Sequence, residues 1–339
     1  MEDIHSKEYA IALLNAKEDA LNKLYDIADR IRRQYMGDEV FIRGIVEFSN
    51  ICSNNCLYCG IRASNKKVKR YKMDINEILN IARHMEKSHQ TTIVLQSGEV
   101  KEKFDEEIGE MIRKIKTETS LAVTLSVGNR PYDTYKYWKE CGMDRYFLRF
   151  ETADRGLFSR LHPDCSFDER IECLKNLKKL GVQTGSGFMI GLPGETIETL
   201  AENILLCRAL DLDMIGIGPF IPHPDTPLGN EKNAYEDDKE MFFKAIAVLR
   251  IFNPDSHIPA TTAFDAVFPG TGRNLALNRG ANIFMPNNTP KKYREDYLLY
   301  PGKPGVDETP DESLDFAIKR ILSLNRTIGT GPGHSIKKH

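Results

Sequence analysis

Residues 48–60 read FSNICSNNCLYCG, and they follow residues 40–48, which are rich in β-branched and apolar side chains. Cys52, Cys56 and Cys59 therefore stand in a C-x3-C-x2-C spacing on a loop that begins where a predicted strand ends. The chain has seven cysteines, an odd number for a disulfide framework. Three thiols crowded into one short loop predict thiolate ligands in a reducing compartment.

Three thiolates suit an iron–sulfur cluster that keeps one coordination position free. A cubane 4Fe-4S cluster normally takes four thiolates, so a loop that offers three leaves one iron without a protein ligand. An open position of this kind is what admits a substrate or cofactor to a catalytic metal. The alternatives are unrelated thiols or a structural zinc site. Zinc would need a fourth ligand, and no cysteine or histidine follows at finger-like spacing.

Outward from this loop, short apolar runs alternate with longer amphipathic stretches, a pattern typical of repeated βα units around a parallel sheet. Asp74 with Glu77 forms a capping-box pattern, and Ser166 precedes a helix that Gly181 ends. Eight strands alternating with helices over about 250 residues predict a (β/α)8 TIM barrel. The predicted strands are residues 40–48, 91–95, 122–125, 145–149, 183–190, 214–217, 257–260 and 282–285.

The chain is predicted to form a single domain, because no repeat, low-complexity tract or long linker divides residues 1–339. Residues 1–38 are expected to form N-terminal lead-in helices, and residues 39–303 the barrel. A C-terminal helix is expected over residues 304–326. Residues 327–339, which contain GTGPG, are predicted to be a loose, flexible tail.

Charge and composition restrict the possible partners. Lys and Arg number 47 against 49 Asp and Glu, so nucleic acid and anionic membrane are not expected as the main partner. No secretory signal or long apolar run is present, which predicts a cytoplasmic protein. The basic run at residues 66–72 is interpreted as a solvated face. Docking of an acidic flavodoxin or ferredoxin there is the alternative, and RNA binding is disfavoured because no aromatic platform accompanies the charges.

Polar residues that close the predicted strands are the candidate site residues, since working groups of a barrel lie at the carboxyl ends of its strands. Glu151 could accept hydrogen bonds from a ribose diol, and Arg149 and Arg170 could contact a carboxylate. For each of these, a barrel-mouth salt bridge is the alternative, which is less convincing for the three residues taken together. Thr261 and Thr262 suit a polar substrate or plain strand packing, and Met214 more often indicates core packing than cofactor contact.

The C-x3-C-x2-C spacing, with an aromatic residue before its last cysteine, resembles the radical S-adenosylmethionine (SAM) superfamily. The resemblance implies that the open iron chelates SAM and that an electron from the reduced cluster breaks its C–S bond, giving a 5′-deoxyadenosyl radical. It also implies that Tyr58 lies against the adenine and that the segment with Gly98 and Glu99 binds the SAM amino group. The implied cofactor contacts are Tyr58, Gly98, Glu99, Ser126, Glu151, Arg170 and Met214.

Further segments, among them residues 214–228 and 293–303, resemble the HydE-type maturases of FeFe-hydrogenase, whose relatives include methylornithine synthase and biotin synthase. The implied substrate is a cysteine-bound iron carbonyl-cyanide complex, and other hydrogenase maturases are implied partners. The implied substrate contacts are Gln96, Thr124, Arg149, Thr261, Thr262 and Tyr293.

Two departures from that family pattern stand out. No cysteine follows Cys207, which predicts a single cluster, and Phe150 stands where some maturases have histidine. A methylornithine-synthase-like mutase and a noncatalytic iron–sulfur scaffold or carrier remain the alternatives.

Overall fold

Parallel strands build the core of the computed structural model, which describes residues 5–100 and 104–337. Their bounds are β1 (Glu39–Ile42), β2 (Gly44–Ser49), β3 (Thr92–Ser97), β4 (Ala122–Ser126), β5 (Arg145–Phe147), β6 (Gln183–Ser186), β7 (Met189–Ile190), β8 (Met214–Ile215), β9 (Gly218–Pro219), β10 (Pro259–Ala260), β11 (Ile283–Phe284) and β12 (Thr327–Ile328).

The strands close into a ring. One parallel sheet runs in the order β2-β3-β4-β5-β6-β8. A parallel bridge from Met214 to His257 carries the ring on to β10, which pairs with β11. The ring closes where β11 pairs with β1 and Asn287 bridges to Ile45 of β2. The predicted eight-membered (β/α)8 barrel is confirmed.

Two predicted strands are each divided. Residues 40–48 form β1 and β2, because β1 pairs with β11 and β12 whereas β2 pairs with β3. Residues 183–190 form β6 and β7, which separate at Gly187. Gly187 has φ +152°, and a Cβ there would lie 1.9 Å from the Gly216 carbonyl oxygen. The chain bends at this glycine, and β7 then pairs with β9.

Helices cover the outside of the barrel, and none in the described ranges has the length and hydropathy of a membrane span. Asp74 and Ser166 cap helices as predicted, accepting hydrogen bonds from Glu77 N and Glu169 N. The helices are α1 (Lys7–Leu14), α2 (Glu18–Met36), α3 (Ile75–Lys87), α4 (Asp105–Glu118), α5 (Tyr132–Glu140), α6 (Arg155–Leu161), α7 (Phe167–Lys179), α8 (Ile197–Ala209), α9 (Met241–Phe252), α10 (Thr262–Val267), α11 (Gly272–Asn278), α12 (Lys291–Arg294) and α13 (Pro310–Ser323).

The C-terminal segment, described as far as residue 337, crosses the amino ends of the strands. β12 pairs with β1. The carbonyl oxygens of Pro332 and Gly333 accept hydrogen bonds from the buried Arg145 and Arg43, at 2.7 and 2.8 Å. Buried guanidinium groups need acceptors, and these carbonyls supply them. The prediction of a loose tail is therefore wrong for residues 327–337, and residues 338 and 339 lie outside the described part of the chain.

Candidate active site

A cavity of about 350 Å³ opens among the carboxyl ends of the strands. Its wall combines apolar side chains, such as Phe147 and Met189, with charged and hydroxyl groups. This is the end of a barrel at which loops from several strands converge. The predicted site residues that line it are Cys52, Cys56, Tyr58, Cys59, Gln96, Gly98, Glu99, Ser126, Arg149, Glu151, Arg170, Met214, Thr261 and Thr262.

The three thiols lie on the cysteine loop, which we define as residues 50–65, and none forms a disulfide. Burial raises the pKa of all three, that of Cys59 to about 12, so a metal must displace a proton from each. Within the described ranges, no three Cys, His, Asp or Glu side chains converge on a position for one metal ion. Three thiols beside one cavity supply the type and number of ligands that leave one iron of a cubane open, since each thiolate binds a different iron.

One side of the cysteine loop presses against the end of β3. Ser53 N donates to the Glu99 carbonyl oxygen at 2.7 Å. A Cβ on Gly98 would lie 2.4 Å from the Ile51 carbonyl oxygen and 2.7 Å from the Cys52 Cβ. Glycine at position 98 therefore permits the close approach between β3 and the first cysteine.

The other side of the cysteine loop contacts the chain that follows α6. Leu57 N donates to the Leu161 carbonyl oxygen at 2.9 Å, and Asn55 N donates to the Asp164 carboxylate at 2.6 Å. The loop is thus fixed between two βα connections of the barrel.

Tyr58 is oriented by His162, a residue that no sequence pattern marks as part of the site. His162 Nδ1 lies 3.1 Å from the Phe158 carbonyl oxygen, which can only accept, so Nδ1 carries the proton. Nε2 is then free to accept from the Tyr58 hydroxyl, 2.8 Å away. The neutral imidazole fixes the phenol ring at the cavity wall.

His162 predicts a pH dependence of stability. Burial and the nearby Arg170 cation lower its pKa to about 3, against about 6.5 in an unfolded chain. Between these values the unfolded state binds a proton that the folded state does not. The free energy of unfolding should therefore fall as the pH drops below about 6.5, by up to about 1.4 kcal/mol per pH unit.

Denaturant unfolding of the cluster-free protein at several pH values between about 7 and 5 measures this dependence. In His162→Gln, the free energy of unfolding should depend less steeply on pH than in the wild type. The buried His257, whose pKa is also lowered, contributes equally in both proteins. Identical pH dependence in the two proteins would show that His162 is not held neutral.

Glu99 is held at the ends of β3 and β4. Its Oε2 accepts a hydrogen bond from Asn129 N at 3.0 Å. Gly128 passes close beneath it with φ +87°, and a Cβ there would lie 2.2 Å from the same oxygen. Ser126 ends β4 in register with Gln96 of β3, so both side chains reach the cavity at one level.

Arg149, Glu151 and Arg170 form a charged group that makes up a second part of the cavity wall. Arg149 Nε lies 3.3 Å from Glu151 Oε2, and Arg170 donates to the Arg149 carbonyl oxygen at 2.7 Å. Glu151 has φ +65°, a strained conformation for a non-glycine residue that is common at functional sites. The paired Arg149 Nε and Glu151 Oε2 are buried and do not form a hydrogen bond with each other, and the buried Arg170 Nε has no hydrogen-bond partner. Because buried polar atoms are rarely left unpaired, this wall fits a polar, charged ligand.

Hydroxyl groups form the third part of the wall. Thr261 Oγ1 donates to the Ile217 carbonyl oxygen at 2.8 Å, which leaves its lone pairs available as acceptors. Thr262 Oγ1 lies 2.6 Å from the Tyr300 hydroxyl, and Tyr297 accepts a hydrogen bond from Gln96 at 3.3 Å. Tyr297 and Tyr300 both line the cavity, although no sequence pattern marks them as site residues.

Two predicted substrate contacts lie elsewhere. Thr124 is at a lower level of β4 and lines a separate small cavity with Arg43 and Arg145. Tyr293 is on the outside of the barrel mouth, where it stacks on Tyr71 at 4.5 Å and donates to Glu77 at 2.9 Å. Met214 lies between the two cavities and lines both.

The basic run at residues 66–72 is largely engaged with the protein. Lys67 pairs with Asp225 and Lys72 with Glu107. Arg70 turns inward onto the cysteine loop.

Residues 46–207 match the model of the Radical SAM superfamily, and curated relatives extend the similarity over most of the chain. The chain therefore belongs to the radical SAM superfamily, whose members bind a 4Fe-4S cluster and SAM. It is 50% identical over 306 residues to the FeFe hydrogenase maturase subunit HydE of Thermotoga maritima, which covers 90% of this chain and 86% of that protein. It is 30% identical over 275 residues to 3-methylornithine synthase of Methanosarcina acetivorans, covering 80% and 76%.

Solved structures agree with this assignment. The crystal structure of methylornithine synthase (PylB) superposes with a TM-score of 0.83 at 25% identity, covering 96% of this chain and 94% of that one. The maturase HydG from Carboxydothermus hydrogenoformans has a TM-score of 0.82 at 20% identity, covering 96% and 76%, which shows a shared fold.

Proposed function

We propose that this chain acts in assembly of the FeFe-hydrogenase H-cluster, with a cysteine-bound iron carbonyl-cyanide complex as its substrate. The observation that carries the proposal is the 50% identity to HydE along 90% of the chain. The three thiols line the cavity at the barrel mouth and support the proposal, because a cluster held there would face the space in which a substrate binds.

Cys52, Cys56 and Cys59 would hold the cluster on the cysteine loop. When bound, the cluster and SAM together supply one-electron cleavage of SAM to a 5′-deoxyadenosyl radical, while the protein supplies binding and orientation. Of the remaining cysteines, Cys141, Cys173 and Cys207 are buried in the core away from the cavity, which favours a single cluster.

The charged side chains of this wall suit the polar groups of SAM. The Arg170 guanidinium would bind its carboxylate, and the Glu151 carboxylate would accept from the ribose hydroxyls. Tyr58 would cover the adenine, and the backbone around Gly98, with Glu99, would receive the amino group. Ser126 and Met214 would complete the wall.

The substrate would occupy the part of the cavity next to Arg149 and the hydroxyl groups. Arg149 would carry the charge-assisted contact to the cysteine part of the complex. Gln96, Thr261 and Thr262 would orient its ligands, and the Tyr300 hydroxyl would position Thr262 through their 2.6 Å contact. The cavity volume of about 350 Å³ falls within the usual range for small-molecule sites.

The proposed partners follow from the same chemistry. A flavodoxin or ferredoxin would deliver the electron near the cysteine loop, where Lys66 remains exposed. Other hydrogenase maturases would supply the organometallic substrate or receive the product.

Anaerobically reconstituted, reduced protein incubated with SAM and the iron carbonyl-cyanide complex tests the proposal. We expect 5′-deoxyadenosine to form and the complex to be consumed, with no conversion of lysine in a parallel incubation. Lysine conversion would establish a methylornithine-synthase-like mutase instead. If protein with a full cluster does not cleave SAM, the noncatalytic iron–sulfur scaffold is the function that the result supports.

A further inference from the structure

Arg70 closes the base of the cysteine loop with a single side chain. Its Nη1 donates to the carbonyl oxygens of Asn50 and Ile61, both at 2.7 Å. Its Nη2 donates to the carbonyl oxygens of Arg62 and Asn65, at 2.6 and 3.2 Å. One guanidinium thus joins the residue at which the loop leaves the barrel to the residues at which it returns.

The segment between those acceptors carries all three cysteines. Asn50 and Asn65 strengthen the same closure. The Asn50 side chain accepts from Tyr71 N at 2.8 Å, and the Asn65 side chain donates to the Gly60 carbonyl oxygen at 2.7 Å. An irregular loop has no ladder of hydrogen bonds to fix its ends, so these contacts hold the two ends of the cysteine loop together.

The Arg70 charge is not neutralised by a carboxylate in any salt bridge of the described ranges. It is satisfied by carbonyl dipoles and remains a net positive charge beside the cysteines. Two of its acceptors, the carbonyl oxygens of Asn50 and Ile61, belong to residues that are each two positions from a proposed cluster ligand, Cys52 and Cys59. A cation that favours thiolates also favours the more negative, reduced state of a cluster bound by them.

We propose that Arg70 is a positioning residue for the cluster: its four hydrogen bonds hold the cysteine loop in the binding conformation, and its charge makes the bound cluster easier to reduce. The inference rests on the proposed role of Cys52, Cys56 and Cys59 as cluster ligands. The two effects are separable, because lysine keeps the charge but lacks the planar fork of donors.

The test compares Arg70→Lys, Arg70→Gln and the control Lys69→Gln, which removes a positive charge from the exposed neighbouring residue. Each protein is reconstituted anaerobically with iron and sulfide. The rate of iron release to a chelator and the reduction potential from a spectroscopic titration are then measured. Circular dichroism and thermal unfolding of the cluster-free proteins check that the barrel is intact.

We expect both Arg70 variants to release iron at least about tenfold faster than the wild type, since each loses charge-assisted hydrogen bonds. Arg70→Gln should also have a more negative reduction potential, whereas Arg70→Lys and Lys69→Gln should stay near the wild-type value.

Folded Arg70 variants with wild-type iron release and wild-type potential would overturn the inference. A shift in potential as large for Lys69→Gln as for Arg70→Gln would overturn its electrostatic part. A wild-type protein that takes up no cluster would instead refute the proposed function, so the two failures are distinguishable.

Discussion

Replacing Cys59 with serine is expected to abolish stable cluster binding and to lower reductive SAM cleavage by well over about 100-fold. Changes to residues that only support a metal ligand typically cost 10- to 100-fold, and loss of a ligand itself should cost more. A hydroxyl has a much higher pKa than a thiol and is a poor ligand for iron in a cluster. Iron and sulfide content, together with 5′-deoxyadenosine formed from SAM, measure the effect.

Cys165→Ser is the matched control. Cys165 lies beside the cysteine loop, where its sulfur is 3.4 Å from the Asn54 side chain, yet it does not line the cavity. This variant should keep its iron and most of its activity. Full cluster content in Cys59→Ser, or loss of the cluster in Cys165→Ser, would contradict the assignment of the ligands.

Gly98→Ala is expected to have the second largest effect, a loss of SAM cleavage of about 100-fold or more. The new Cβ would meet the Ile51 carbonyl oxygen at 2.4 Å, and backbone atoms cannot move aside as a flexible side chain can. The cysteine loop would have to shift away from β3, and small displacements at a reacting centre are costly. SAM affinity and cleavage rate of the reconstituted protein measure the loss.

Gly156→Ala serves as the comparison for this prediction. Gly156 lies in α6, where a Cβ would meet only the end of the Asp154 side chain at 3.3 Å, and alanine is the better helix former. Its activity should equal that of the wild type. Wild-type activity of Gly98→Ala would show that the chain at the end of β3 does not constrain the first cysteine.

The barrel was predictable because each strand carries its own local signal. Apolar runs bounded by helix caps identify eight segments without knowledge of their partners. The breaks within two of these segments were not predictable. The break between β6 and β7, for example, occurs at Gly187, where the Gly216 carbonyl approaches from another part of the chain. The ordered C-terminal segment was missed for the same reason, since its glycine-rich composition does not reveal the buried arginines that it covers.

The alternation of residues along a strand predicts which face of the sheet a side chain occupies. It does not predict how far along the barrel axis that side chain lies. Thr124 and Ser126 share the inward face of β4, but they are two residues, or roughly 7 Å, apart along the strand. Ser126 reaches the upper cavity, and Thr124 lies below it.

The tyrosines near the C-terminus illustrate a related limit. Tyr293 in α12 turns outward onto Tyr71, whereas Tyr297 and Tyr300, in the chain after that helix, enter the cavity. No periodic pattern distinguishes the three. His162 likewise carries no signal of its own, because its role depends on contact with Tyr58 from a distant loop.

Low-temperature electron paramagnetic resonance of the reduced, reconstituted protein, recorded before and after addition of SAM, tests the open-iron site most directly. The thiol arrangement predicts the signal of one 4Fe-4S cluster per chain, with a shape that changes when SAM binds the iron lacking a protein ligand. A cluster signal that SAM leaves unaltered, or a protein that binds a single metal ion at these cysteines, would contradict it.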